Sequence, residues 1–184
     1  MARVSWRWQT CQMRCQSCVV LAVAGALALA STGLVSAATK SANPGQKFFR
    51  DALIKDTKTS GAIRDMLTSN AAIVDPTSPY ADLTGDGKSD AIVRIHSAGA
   101  AGVIAVYVFS TDGNSKGTLR AVFRSQQLDS AVTDVTSGQD LVIDTPKYAA
   151  GDDVCCPAQL THRVYAWSTK AKAFHRTTLT TVSA

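Results

Sequence analysis

Between Pro44 and Ser69 apolar residues return every three or four positions. Phe49, Ala52 and Leu53 fall on one side of a helical wheel, and Lys47, Arg50, Lys55 and Asp56 lie mostly off it. The run Asn43-Pro44-Gly45-Gln46 reads as a helix start. Asn caps, Pro takes the first helical position, and Gln three residues on closes the box. Thr57 to Gly61 is poor helix material. Ser60 then caps a shorter second helix carrying Ile63, Met66 and Leu67, and Asn70 stops it. One or two helices are expected here.

From Ile73 onward the period shortens to that of strands and turns. Ala91, Val93 and Ile95 alternate with Ile92, Arg94 and His96. Val103 to Phe109 is apolar on both faces, which predicts a central strand. Gly99 and Gly102 make the turn before it, and Asp112-Gly113-Asn114 is a hairpin signal after it. Leu119, Ala121 and Phe123 alternate with Arg120, Val122 and Arg124. Val132 to Val135 and Leu141 to Thr145 pair around Gly138, and Leu160 to Trp167 and Phe174 to Val182 pair around Ser168 to Lys172. Short strands with tight connections predict an antiparallel meander rather than βαβ units. The expected fold class is α+β, with the N-terminal helical segment packed on one meander sheet of five to seven strands.

Ahead of this domain stands an uncharged apolar run, Val19 to Val35, preceded by Arg3, Arg7 and Arg14 and followed by small residues at Ser36-Ala37-Ala38. Positive flank, apolar stretch and small-residue cut describe a secretory signal peptide over 1–37, with Met13 offering a second start. The run sits at the lower edge of what spans a bilayer, and Gly25, Ser31, Thr32 and Gly33 interrupt it, so a retained anchor is the weaker reading. A polar linker over 38–43 leads into a single domain, 44–184. With the three leader arginines removed, net charge drops from +5 to +2. No clustered Lys and Arg remain of the kind that binds nucleic acid. The expected localisation is extracytoplasmic, secreted or in the cell envelope, with membrane contact only through the leader before cleavage.

All 14 acidic residues are aspartate. The absence of glutamate removes the HExxH zinc helix and the bidentate glutamate that closes an EF-hand. The aspartates nevertheless concentrate in one place, ADLTGDGKSDAIVRI, Ala81 to Ile95. Calcium takes six or more oxygens, and a short coiled loop can supply them. Asp82, Asp86 and Asp90 offer carboxylates, Thr84 a hydroxyl and Lys88 a backbone carbonyl. Gly87 falls where the loop turns sharply and a positive φ is expected. Position twelve is Val93 and a strand follows, so this is not an EF-hand. Three crowded carboxylates repel each other and call for a cation or for wide exposure to water. The competing reading is an Asp-Gly turn without metal. A bound calcium is expected to be structural and weakly held, at roughly 0.1 to 1 mM.

DLTGDGKSD resembles the calcium loops of FG-GAP and VCBS repeats, which hold the ion at the start of a strand. Those proteins repeat the unit, whereas this chain has it once, so no propeller is implied. A second resemblance covers most of the mature chain. The DLTGDG loop running into a strand, then VIAVYVFS, then DDVCCPAQL and an aromatic-bearing last hairpin are similar to actinobacterial LppP/LprE-type envelope proteins. That resemblance implies an extracytoplasmic role and brings no established activity. Members are typically lipoproteins, and this chain has no lipobox. Cys18 precedes the apolar run, behind Cys15-Gln16-Ser17.

Cys155 and Cys156 are the only cysteines beyond the leader. In an oxidising compartment they can close a strained vicinal disulfide, stay as a free pair, bridge to another molecule or contribute to a metal site. Two thiolates with His162 fall short of the four ligands a closed zinc site wants. The reading taken forward is a vicinal disulfide shaping the turn before Pro157. The leader trio Cys11, Cys15 and Cys18 has an iron–sulfur spacing, but the apolar run follows at once and no βα repeats do. No nucleophile elbow, phosphate loop or dinucleotide fingerprint appears. His96, His162 and His175 all fall on predicted strands. The expected role is a non-catalytic module that meets an envelope or extracellular partner, with a calcium-stabilised loop. The alternative is a small thiol-redox protein or hydrolase using Asp152 to Cys156 or a histidine.

Overall fold

A computed structural model describes residues 44–184, apart from 100, 113–116 and 154–155. The signal peptide expected over 1–37, the linker expected over 38–43, the expected Asn43 cap and Gly113-Asn114 turn, and Cys155 lie outside the described residues. The helical pattern is realised as α1 (Pro44–Lys55) and α2 (Gly61–Thr68). The Ser60 hydroxyl caps α2 by accepting the Ile63 N–H, and Asn70 follows the last turn with φ 61°. Phe49 and Leu53 of α1 and Ile63 and Leu67 of α2 are the buried positions, as the spacing requires.

Strand dominates the rest, in β1 (Ala72–Val74), β2 (Tyr80–Ala81), β3 (Asp90–Ser97), β4 (Val103–Ser110), β5 (Arg120–Gln126), β6 (Val132–Val135), β7 (Leu141–Lys147), β8 (Gln159–Ser168) and β9 (Ala173–Ser183). Every pairing is antiparallel. The strands do not form one meander. They divide into a five-stranded sheet, β1-β3-β4-β5 with β2 also on β3, and a four-stranded sheet, β6-β7-β8-β9.

The division occurs at 127–131. There Gln127 and Ser130 adopt positive φ, while Leu128 and Ala131 still donate backbone bonds to Ile104 and Val103 of β4. Gly102 lies against this crossing. A Cβ on it would meet the Ser130 Cα at 3.0 Å, and its own φ is +59°, so only glycine fits. Neither constraint is written in the local sequence of 127–131, which lacks glycine and proline.

Two buried clusters result. Phe49, Leu53, Ile63 and Leu67 share one with Ala91, Val93, Ile95, Tyr107 and Phe109. Ile92, Val106, Val108 and Phe123 share the other with Leu141 and Ile143 of the second sheet. Hence β4 is buried along its whole length, as its two apolar faces predict. The strict alternation expected over Leu119 to Arg124 is broken. A register shift opposite Val108 and Phe109 leaves Leu119 and Ala121 with the first cluster and turns Phe123 to the second. Phe123 there meets Tyr165 and Phe174 with ring centroids 4.8 and 5.4 Å away.

Candidate functional site

The aspartate-rich segment is the connection of a hairpin. Tyr80 and Ala81 of β2 pair with Ala91 and Asp90 of β3, so Asp82 to Ser89 must turn the chain back on itself. Gly85 and Gly87 adopt φ of +69° and +80°, and the second is the sharp turn expected from position six of the loop. The aspartates wind the loop through its own backbone. Asp82 accepts the N–H of Asp86 through Oδ1 at 3.1 Å and that of Gly87 through Oδ2 at 2.9 Å. Asp86 accepts the Lys88 N–H at 2.9 Å.

The five residues picked out as calcium ligands separate by environment. Asp86 and Lys88 are exposed and Asp82 is half-buried, whereas Thr84 and Asp90 are buried. Asp90 is 1% exposed. Its Oδ2 accepts the N–H of Leu83 and of Thr84, both at 2.9 Å, and the Ser110 hydroxyl donates to the same carboxylate. Burial pushes the Asp90 carboxyl above its usual range, and these hydrogen bonds only partly offset that. Among the described residues, no Lys, Arg or His lies within ion-pair distance of Asp82, Asp86 or Asp90. Nor do any three His, Cys or Asp side chains stand grouped as a metal site.

Comparison with known proteins finds no matching family model, no matching curated protein and no matching solved structure. The chemistry must therefore be read from the side chains themselves.

Two histidines have carboxylate partners that the sequence did not reveal. His96 Nε2 lies 3.1 Å from Asp75 Oδ2, and the Arg94 guanidinium is 2.6 Å from the same oxygen. The other Asp75 oxygen accepts the Thr77 N–H and hydroxyl at 2.8 and 2.7 Å. Burial raises the Asp75 carboxyl, but the Thr77 bonds, Arg94 and His96 outweigh it and hold it below the usual range. On the second sheet, His162 Nδ1 lies 2.8 Å from Asp144 Oδ1, directly across the β7–β8 pair. His175 is exposed on β9. Each pair joins residues about 20 positions apart, so register rather than local spacing brings them together.

The Asp152 carboxylate is committed to structure. Oδ2 accepts the Ala149 N–H at 2.8 Å and the Ala158 N–H at 3.0 Å, drawing the two ends of the cysteine-bearing loop together. Those bonds hold its carboxyl below the usual range. Cys156 in that loop is exposed.

A shallow cavity of about 290 Å³ lies between the end of α1 and β5. Ala52, Phe109 and Ala121 give it an apolar floor, with Lys58, Arg120 and Arg124 among its charged neighbours. Arg124 is bound to Asp56 through Nε at 3.0 Å and a second nitrogen, which ties β5 to the α1–α2 connection.

Proposed function

We propose that this protein is a non-catalytic extracytoplasmic module whose Asp82–Asp90 loop takes calcium to fix the start of β3. The observation that carries the reading is a concentration of charge. Three carboxylates fall within the nine residues Asp82–Asp90, which make up the hairpin connection and the first residue of β3, and among the described residues no basic side chain lies at ion-pair distance from any of them. A divalent cation is the economical way to neutralise such a loop. Asp82, Asp86 and the Lys88 carbonyl supply the exposed side of the site. Thr84 and Asp90 supply the interior side, where Asp90 also anchors the loop backbone. Export is supported by the charged, apolar and small-residue sequence of the leader, and by the LppP/LprE-type resemblance. The reading takes the helical segment as packed on the antiparallel sheet, which the shared burial of Phe49, Leu53, Ile63 and Leu67 with β3 and β4 supports.

Thermal unfolding at a fixed scan rate tests the loop. At about 5 mM calcium and a Kd of roughly 0.5 mM, binding stabilises by about 1.4 kcal/mol relative to EDTA. That corresponds to a rise of ~3–5 °C for a domain of this size. Asp86→Ala is expected to abolish the rise while leaving the melt in EDTA nearly unchanged. Identical wild-type curves in calcium and EDTA would reduce DLTGDGKSD to a turn.

The competing thiol-redox reading is separated by the cysteines. We propose that Cys155 and Cys156 form a vicinal disulfide that shapes the turn before Pro157. The Cys155→Ser, Cys156→Ser protein is then expected to lose only stability, read by urea unfolding, and to keep every partner interaction. Turnover in a dithiol-exchange assay by the wild type, lost in the double variant, would favour the redox class instead.

A further inference from the structure

The second sheet ends in a strand that nothing in the described chain covers. β9 runs for 11 residues at the edge beside β8, and nine of them are exposed. Tyr165 and Phe174, at the hairpin end, reach the inter-sheet core, but Leu179 and Val182 stand 52% and 41% exposed. Edge strands are ordinarily protected by charge, proline or a bulge. The bulge in β9 is at its first half, where the register shifts opposite Val164 and Tyr165 and the Thr177 hydroxyl bonds the Val164 carbonyl. Beyond it, Thr178 to Ala184 reads TLTTVSA, a stretch with no charged side chain, no proline and no further register shift.

The backbone of that stretch offers a template of known phase. Ala184 donates to the Ala158 carbonyl, so Ala158 and Ala184 face each other as a hydrogen-bonded pair. Antiparallel pairs alternate, so Val182 and Thr180 also bond inward, and Ser183, Thr181 and Leu179 direct their N–H and C=O groups outward. Outward groups at three alternate residues match a second copy of themselves when that copy is turned about a two-fold axis at Thr181. Leu179 then faces the partner's Ser183, Thr181 faces its own equivalent, and Thr180 faces the partner's Val182.

We infer that β9 pairs antiparallel with β9 of a second copy of this chain, centred on Thr181, joining two four-stranded sheets into one of eight strands. Six backbone hydrogen bonds form in that register. β-Branched side chains meet across the axis, which is favourable on a sheet face. The charge pattern suits this occupant. His175 and Arg176 fall outside the paired stretch, so no like charges oppose each other. A two-fold contact is self-complementary and closes at two copies. Seven residues a side is short of the 20–30 of a standard interface, so the dimer is weak, with Kd on the order of 100 µM.

Sedimentation velocity from about 5 to 500 µM tests it, with expectation set by that Kd. The wild type is expected to move from monomer to dimer across the range. Thr181→Lys sets two ammonium groups against each other at the axis while leaving the β8–β9 bonds intact. It is expected to remain monomeric with an unchanged urea midpoint. In a background carrying Cys155→Ser and Cys156→Ser, Thr181→Cys is expected to form a disulfide-linked dimer on mild oxidation. Its Cα spacing of ~5.5 Å in a hydrogen-bonded pair suits that bond. Thr180→Cys faces Val182 and is expected not to cross-link. A wild type that is monomeric throughout, or equal cross-linking at both positions, overturns the inference.

Discussion

Asp90→Ala is expected to lower the unfolding free energy by about 3 kcal/mol in EDTA, where no ion contributes. The substitution removes the acceptor for the Thr84 N–H and for the Ser110 hydroxyl, both in surroundings that exclude water. Each buried donor left without a partner costs about 1–3 kcal/mol. The Leu83 N–H loses the same acceptor but keeps the Ala81 carbonyl at 3.0 Å, so its share is smaller. Asp86→Ala, at an exposed position in the same loop, is expected to change stability in EDTA by less than about 0.5 kcal/mol. Urea unfolding of the two variants side by side decides the matter. Equal losses would mean that Asp90 is not the buried anchor described above. The contrast also separates the buried anchor at Asp90 from Asp86, the exposed aspartate proposed above to face an ion.

Gln126→Leu is the second large effect, expected at about 2–4 kcal/mol. Gln126 Oε1 accepts the Ser60 N–H at 2.7 Å and the Tyr107 hydroxyl at 3.0 Å, and its Nε2 donates to the Lys58 carbonyl at 3.3 Å. One amide thus ties the start of α2 to the centre of the first sheet. Tyr107 is fully buried, and burial pushes its hydroxyl up to about 12. Removing the amide leaves the Ser60 N–H unmet and leaves the Tyr107 hydroxyl with Thr59 as its remaining partner, whereas Tyr107→Phe removes one donor together with its need for a partner and is expected to cost about 1 kcal/mol. The double variant is expected to fall well short of the sum, because both changes act on one network. Additive losses in urea would show that Tyr107 and Gln126 act independently.

The elements were largely legible because their signals are local. Leu53 and Leu67 lie on helical spacing, Ser60 is a cap by residue type, and Val103 to Phe109 can only be a strand buried on both faces. What could not be read depends on contacts between distant residues. The split into two sheets rests on Gln127 and Ser130 taking positive φ against Gly102, a conformation that glutamine and serine do not advertise. The inward turn of Phe123 rests on a register shift. At the candidate site, spacing singled out Asp82, Asp86 and Asp90, and of that reading the structure shows the turn at Gly87. It gave no sign that Asp90 would be buried, because aspartate is ordinarily a surface residue. The partners of His96 and His162 likewise needed the strand register before Asp75 and Asp144 appeared beside them.

The complete burial of β4 also bears on how the molecule fails. VIAVYVFS is eight residues without charge or proline, the composition that stacks readily once it is uncovered. Its residues divide between two buried clusters, one shared with Phe49, Leu53, Ile63 and Leu67 and the other with Leu141 and Ile143, so opening either cluster is enough to lay it bare. A heated sample should therefore clump faster than it refolds. Its melting temperature will then rise with scan rate, and shelf life will be governed by how often that shelter opens, not by the equilibrium between folded and unfolded chains.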